Sequence, residues 1–358
     1  MRYGSSLLIV DILKAVASQL IVWHHLAVYS PMSDALYPHA TALTDWLYGY
    51  ARLAVQAFLV LGGFLAARSL APNPDAVVET FTRGKLLPRL WQRYLRLALP
   101  YVVALAFAIA CAALARSLTD DPNTPAAPSV AQVLAHVFLL QDIVNADALS
   151  AGVWYVAIDF QLYALLALLL WAAHRLAPLT GIRAGHLAVA FCGGLSIASL
   201  FWLNRASTLD PWGIYFFGAY GLGAFAQWAS RSPRKAWWVA AMAAAALIAL
   251  VIDWRSRILV ASLTALLLAS GAGARFSLKG MAGTAIAALG RISYPVFLAH
   301  YPVLLLAGAL ILKLESNSVA INTAGLVAAW LLSLAAGAAL HRLTEQRASS
   351  PVGLVASR

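Results

Sequence analysis

The first long apolar stretch of the chain carries an acid, a base and two histidines, residue types that are costly inside a membrane. Asp11 and Lys14 are three residues apart on one helix face, where they either form a helix-end ion pair or serve chemistry. His25 lies eleven residues after Lys14, about three helical turns, and therefore on the same face. Its imidazole accepts a proton near neutral pH, as a general base must. His24 points about 100° away, so the pattern predicts that at most one histidine faces a given cavity.

A further ionisable residue, Asp159, lies inside an apolar run near the middle of the chain. A carboxylate in that setting needs a partner or water, and it either orients a histidine or binds a sugar hydroxyl. Trp154 and Tyr155 at the start of this run are typical of the aromatic belt at a membrane surface.

Three arginines precede the third apolar run at helical spacing. Arg89, Arg93 and Arg96 fall at positions i, i+4 and i+7 and predict one basic helix face. Such a face either sets topology and contacts anionic lipid or binds phosphate, which arginine matches with paired donors. Spacing alone leaves these two interpretations equal.

A late apolar run is interrupted by two prolines. Pro295 and Pro302 remove two backbone donors within eight residues, which predicts a kink or an unwound turn. Irregular backbone at membrane depth is tolerated mainly where it lines a cavity. The same run carries Ser293, Tyr294 and His300, and for His300 a structural hydrogen bond is the favoured interpretation.

The composition requires a membrane to surround these residues. Of 358 residues, 62% are hydrophobic and 11% are charged, and the mean hydropathy is +0.78. Soluble domains are about 45–50% apolar and about 25% charged, so the composition excludes a soluble enzyme, a disordered chain and a fibre. We expect an all-α, polytopic transmembrane helix bundle of about ten spans, both termini cytoplasmic. The predicted spans are 7–29, 46–70, 95–115, 153–173, 186–203, 212–229, 237–252, 257–271, 292–312 and 319–340.

The formal charge of +11 is mainly topological. With a cytoplasmic N-terminus, most of the 25 lysines and arginines fall in cytoplasmic loops, as the positive-inside rule requires, and no nucleic-acid partner is needed. The basic residues left in outer loops are Arg52, Arg116, Arg205, Arg255, Arg257 and Lys313. The outer loop 116–152 contains a stretch, 130–140, that predicts an interfacial or re-entrant helix. We expect a transmembrane domain over 1–345 and a short cytoplasmic tail over 346–358.

Five blocks occur in an order that is similar to a known family. They are Asp11–Lys14 followed by His25, Phe58–Leu65, Arg93–Arg96 before Pro100, Trp154–Tyr163 and Gly290–Pro302. This set resembles the acyltransferase-3 family of integral membrane acyltransferases. The chain departs from the family pattern with Lys14 for arginine, Gly62 for serine and Asp159 for glutamate.

The resemblance implies transfer of an acyl group from cytoplasmic acyl-CoA, usually acetyl-CoA, to a hydroxyl of a cell-envelope or exported polysaccharide. It implies a multi-pass protein of the bacterial inner membrane, whose partners are acyl-CoA, a glycan acceptor and the lipid bilayer. The acyl group is acetyl or a larger one such as succinyl, and the oligomeric state stays open. A transporter or flippase of a lipid-linked glycan is the alternative, because charges within spans suit it too.

The resemblance also implies roles for individual residues. His25 is expected to be the general base or a transient acyl carrier, with direct attack on the thioester preferred. The other expected catalytic residues are Asp11 and Asp159. The residues expected to hold the CoA phosphates are Lys14, Arg89, Arg93 and Arg96. The residues expected at the substrate are His24, Trp154, Tyr163, Ser293, Tyr294 and His300. No metal is expected.

Overall fold

The computed structural model describes residues 5–81, 86–271 and 280–348, and every regular element of these residues is a helix. The helices are α1 Ser5–Tyr29, α2 Pro31–Gly49, α3 Ala54–Leu70, α4 Val77–Phe81, α5 Leu86–Leu118, α6 Val130–Val137, α7 Val153–Thr180, α8 Ala184–Phe201, α9 Gly213–Arg231, α10 Lys235–Ile252, α11 Ser256–Gly271, α12 Gly280–Leu314 and α13 Val319–Ala348. Residues 349–358 of the predicted tail lie outside the described residues.

Within the described residues, eight stretches are long and apolar enough to cross a membrane. This confirms the predicted class, an all-helical polytopic bundle. The difference from about ten spans concerns α9 and α11, which coincide with the predicted spans 212–229 and 257–271. The α11 helix is apolar but only 16 residues long. The α9 helix is rich in glycine and carries polar side chains, which lowers its hydropathy.

Local irregularities differ from the sequence expectation. The α12 helix runs without a break through Pro295 and Pro302, so no turn is unwound there. Ala40 instead interrupts α2 with non-helical angles (φ −143°, ψ 34°), two residues after Pro38. The predicted loop helix is present as α6, where the Ser129 hydroxyl accepts a hydrogen bond from the Gln132 amide at 3.1 Å.

The described residues form two compact units, which are treated separately below. The first unit comprises Met1–Lys14, Val55–Leu95 and Ala157–Ala287. Its centre is α9, which is buried along most of its length and packs against α8, α10 and α11. The backbones of α3 and α9 also approach closely, because a Cβ on Gly63 would overlap the carbonyl oxygen of Tyr220 and one on Gly223 would overlap that of Val60. Only glycine fits such a crossing.

The second unit comprises Ala15–Ala54, Arg96–Val156 and Ala288–Arg358. Its apolar core joins residues of α1, α2, α12 and α13. The buried members are Val22, Leu26, Met32, Val296, Leu304 and Ala329. Gly152, just before α7, has a φ of +80° and lies so close to Phe297 that a Cβ would come within 2.7 Å of its Cζ atom. Gly152 therefore fixes the entry of the chain into α7.

Candidate active site

Two histidines form the centre of a cluster in the second unit. His25 on α1 and His300 on α12 approach with a distance of 2.6 Å between Nδ1 of His25 and Nε2 of His300. Their ring planes are nearly parallel, 10° apart, and the centroids are 4.9 Å apart, so the two rings meet edge to edge through these nitrogens. His300 is fully buried, whereas His25 is partly exposed. We call these two residues, with Tyr29 and Tyr301, the histidine cluster.

The hydrogen-bond partners of His300 assign the tautomers of both rings. The Nδ1 atom of His300 lies 2.7 Å from the carbonyl oxygen of Phe297 and 3.3 Å from that of Val296. A carbonyl only accepts, so this nitrogen carries the hydrogen and Nε2 of His300 keeps its lone pair. His25 must then donate from Nδ1, which leaves the lone pair on its own Nε2. The contact therefore presents His25 as a neutral base at Nε2.

Aromatic side chains surround this pair. Tyr29 lies beside the ring of His25, with centroids 5.4 Å apart, and meets Tyr301 edge to face at 5.6 Å. The neighbouring His24 has a different partner, since its Nδ1 atom lies 2.9 Å from the carbonyl oxygen of Leu47. The two adjacent histidines are thus held by different contacts.

A second cluster lies in the first unit and contains the buried acid. Asp159 on α7 is 5% exposed, and its Oδ2 atom accepts a hydrogen bond from Arg93 at 2.5 Å. The Arg93 guanidinium also lies over the ring of Tyr163, 5.2 Å from the centroid. Arg89 interacts electrostatically with Tyr163, and Tyr220 does so with Asp159 and Arg93. We call Arg89, Arg93, Asp159, Tyr163 and Tyr220 the arginine–aspartate cluster. Its two arginines and one carboxylate leave an excess positive charge.

Nε of Arg89 and the hydroxyl oxygen of Tyr220 are buried polar atoms of the arginine–aspartate cluster that have no hydrogen-bond partner among the described residues. Buried donors are almost always paired in folded proteins, so each such atom calls for a ligand, an ion or water. An anion fits both, because both are donors and the cluster is cationic.

Gly62 on α3 faces the same cluster. A Cβ at this position would lie 3.0 Å from Cε2 of Tyr220 and 3.1 Å from Oδ1 of Asp159. Both separations are tighter than ordinary contacts. The serine that the family pattern has here would have to displace one of these two groups, so glycine suits the packing around Asp159.

The structure also gives the positions of the remaining predicted site residues. Asp11 and Lys14 are half-buried on α1, Arg96 is exposed on α5 and Trp154 is half-buried at the start of α7. The Ser293 hydroxyl donates to the carbonyl of Gly290 at 3.0 Å. The Tyr294 hydroxyl donates to the carbonyl of Leu97 at 3.0 Å. The structure thus joins Arg93, Asp159 and Tyr163 in one cluster and His25 with His300 in another.

Sequence reasoning missed Tyr220 and the helix crossing that places it. The signal was present in α9, where Gly218, Gly221 and Gly223 recur at close intervals. Small residues at such spacing are typical of close helix contacts in membranes. The described residues contain no group of three or more His, Cys, Asp or Glu side chains that could hold a metal.

A family model for an acyltransferase domain matches residues 7–341. This range covers nearly the whole chain and includes both clusters. The chain belongs to the acyltransferase-3 family. No match was found among curated proteins or among solved structures. The family assignment of this membrane acyltransferase therefore rests on the match over 7–341, and its substrates are a matter for proposal.

Proposed function

We propose that this acyltransferase moves an acetyl group from cytoplasmic acetyl-CoA to a hydroxyl of a cell-envelope or exported polysaccharide, in the bacterial inner membrane. The observation that carries the proposal is the hydrogen bond between His25 and His300. It fixes the orientation of the His25 ring and leaves the lone pair on Nε2, which is what a general base for acyl transfer to an alcohol needs.

The proposed reaction is direct attack. Nε2 of His25 takes the proton of the acceptor hydroxyl while the hydroxyl oxygen attacks the thioester carbon. The tetrahedral intermediate breaks its carbon–sulfur bond, and the protonated His25 returns the proton to the leaving thiolate. The products are the ester and free CoA, and the histidine ends in its starting state. His300 keeps Nε2 of His25 as the reactive nitrogen throughout, because the hydrogen of His300 is held at its Nδ1 by a backbone carbonyl and its Nε2 accepts from Nδ1 of His25.

The arginine–aspartate cluster is proposed to bind phosphate of the CoA donor. Its excess positive charge and the buried Nε of Arg89 support an anionic ligand. Asp159 has the role of holding the Arg93 guanidinium in place through the contact at 2.5 Å. Lys14 and Arg96 remain candidates for the same donor. The Asp159 carboxylate thereby serves donor binding in this proposal.

A transfer assay tests this function. The full chain in proteoliposomes is given radiolabelled acetyl-CoA and a glycan acceptor, and the label on the glycan is counted. We expect His25→Ala to lower the rate by about 100-fold or more. His39→Ala is the matched control, because His39 is an exposed histidine on α2 and its loss should leave the rate unchanged. Full transfer by His25→Ala would refute the mechanism, and an unlabelled glycan would favour the flippase alternative.

The acceptor is identified in cells. Mass spectrometry of envelope and secreted glycans is compared between cells with the chain, cells without it and cells with His25→Ala. The expected result is an acetyl ester that appears only with the intact chain. Identical glycans in all three would contradict polysaccharide modification.

A further inference from the structure

A small cavity lies in the first unit, where α8 ends and where α3, α9 and α11 begin. Its polar lining consists of Gln56, Ser199, Asn204, Tyr215 and Arg257. The enclosed volume is about 10 Å³, the space of one water molecule, so it takes a single oxygen of a ligand with the remainder outside. We call it the Arg257 cavity.

The charges around the Arg257 cavity do not balance within the described residues. Asp253 is 3.3 Å from Arg205 and 3.3 Å from Arg255, and these are the ion pairs of this region. Arg257 donates instead to the hydroxyl of Tyr215 at 2.5 Å and to the carbonyl of Asn204 at 2.6 Å, both of them neutral acceptors. A half-buried guanidinium without a counter-charge is costly. This surplus favours an anion in the cavity.

Gln56 is the second observation that points to a ligand. This residue is 7% exposed, it lines the cavity, and it makes no hydrogen bond to any residue that the structure describes. A polar side chain that is largely buried is normally paired. Its NH₂ group and the Arg257 guanidinium therefore offer donors to the same space. Tyr215 adds a third, because its oxygen accepts from Arg257 and its own hydrogen is left to donate.

The position of the cavity makes an anionic substrate reachable. The sequence predicts the loops with Arg205, Arg255 and Arg257 on the outer side, where the positive-inside rule gives no reason for basic residues. Exposed Trp202, Trp212 and Trp254 border the same helix ends. Tryptophan in such positions is typical of the membrane–water interface, and this end of the unit is thus within reach of water.

We propose that the Arg257 cavity binds a carboxylate of the substrate, one oxygen of which accepts hydrogen bonds from Arg257, Gln56 and Tyr215. A carboxylate matches a guanidinium and an amide better than any neutral group does. The inference rests on the proposed function for its substrates, and that function offers two sources of such a carboxylate. One is a uronic acid of the acceptor glycan, and the other is the distal carboxylate of a dicarboxylic acyl group such as succinyl.

Two substitutions at Gln56 test the site without breaking a hydrogen bond between described residues. Gln56→Met removes the amide at nearly constant volume, and we expect an unchanged melting temperature without ligand. Gln56→Glu places a carboxylate opposite Arg257 and mimics the ligand, so we expect the melting temperature to rise by about 2–4 °C. Gln92→Met on α5 is the matched control, because Gln92 is exposed.

The ligand is probed by thermal shift of the purified full chain in detergent. Glucuronate is compared with glucose, and succinyl-CoA with acetyl-CoA. We expect one carboxylate-bearing compound to stabilise the protein more than its neutral counterpart. We also expect its half-saturating concentration to rise at least tenfold in Gln56→Met and Gln56→Glu but not in Gln92→Met. The compound that behaves in this way identifies the source.

The inference would be overturned if glucuronate and glucose gave equal melting-temperature shifts and succinyl-CoA and acetyl-CoA did too. It would also be overturned if a carboxylate-dependent shift persisted in both Gln56 variants. The cavity would then hold only water. The thermal shift requires no acyl transfer. A failed shift beside His25-dependent transfer therefore rejects the carboxylate site alone, and a specific shift without transfer rejects the proposed function alone.

Discussion

His300 contacts His25 at its Nδ1 atom, which leaves the lone pair of the His25 ring on Nε2. Nδ1 of His25 and Nε2 of His300 are 2.6 Å apart, and Nδ1 of His300 is fixed by the carbonyl of Phe297 at 2.7 Å. The two histidines are 275 residues apart in the sequence. Under the proposed function, this chain of backbone carbonyl, imidazole and imidazole has the orienting task that a carboxylate has in other general-base sites.

The role of His300 is tested by two substitutions of different character. We expect His300→Phe to lower kcat by up to about 100-fold with a small change in KM, since His25 loses its fixed tautomer. His300→Gln should recover part of this loss, because its amide oxygen accepts from Nδ1 of His25. Steady-state kinetics on folded protein measures both, with exposed His186→Phe as the control. Equal losses in the two variants would reject an orienting role.

The pair of Arg93 and Asp159 should be strongly coupled in stability. Their side chains are 22% and 6% exposed, so loss of either partner leaves a desolvated charge. We expect Arg93→Met and Asp159→Leu each to destabilise by about 3–5 kcal/mol and the double variant to cost less than their sum. Chemical unfolding in mixed micelles measures the cycle.

The control for this cycle is the ion pair of Arg183 with Asp75, also in the first unit. It spans 3.4 Å, and its side chains are 70% and 65% exposed. We expect its coupling to be at most about 1 kcal/mol. Coupling of similar size in both pairs would show that burial does not strengthen the contact of Arg93 with Asp159.

The crossing of α3 and α9 should tolerate no side chain at Gly63. A methyl group there would overlap the carbonyl oxygen of Tyr220, and backbone atoms yield less readily than side-chain ends. We expect Gly63→Ala to lower the melting temperature by several degrees and reduce the folded yield. Gly194→Ala on α8 is the control, since no atom lies within 4 Å of the position that its methyl group would take. An unchanged Gly63→Ala protein would mean that the helices separate freely.

Removal of the Tyr220 hydroxyl should affect stability and donor binding in different ways. This oxygen is buried without a hydrogen-bond partner among the described residues, and such a group costs about 1–3 kcal/mol. We expect Tyr220→Phe to raise the melting temperature. If the hydroxyl meets the donor, the same variant raises the KM for acetyl-CoA. A lower melting temperature would indicate a partner for the hydroxyl within the folded chain.

Composition and spacing predict the fold class and most of the helices, because a membrane permits few alternatives for long apolar runs. They also predict that Asp159 needs a partner, but the spacing does not identify Arg93 as that partner. The pairing of His25 with His300 depends on how two helices far apart in the sequence pack together. The hydrophobic periodicity of each helix carries no information about this packing. The two prolines of α12 predict a kink or an unwound turn, and the continuous helix excludes the unwound turn.

His136 should make the loop between α5 and α7 sensitive to acid. Its ring is buried, with Nδ1 2.8 Å from the carbonyl of Gln132 and Nε2 accepting from the Leu149 amide at 3.2 Å. Burial lowers the pKa of His136, against smaller opposing effects of Gln132 and Asp142. The unfolded loop therefore binds a proton first, and stability that is complete above about pH 6.5 is lost as the pH falls below it. The protection factor of the Leu149 amide, which compares its exchange rate with the intrinsic rate at the same pH, should fall in acid. His136→Gln should abolish this dependence, and a native protection factor that does not change with pH would contradict the assignment.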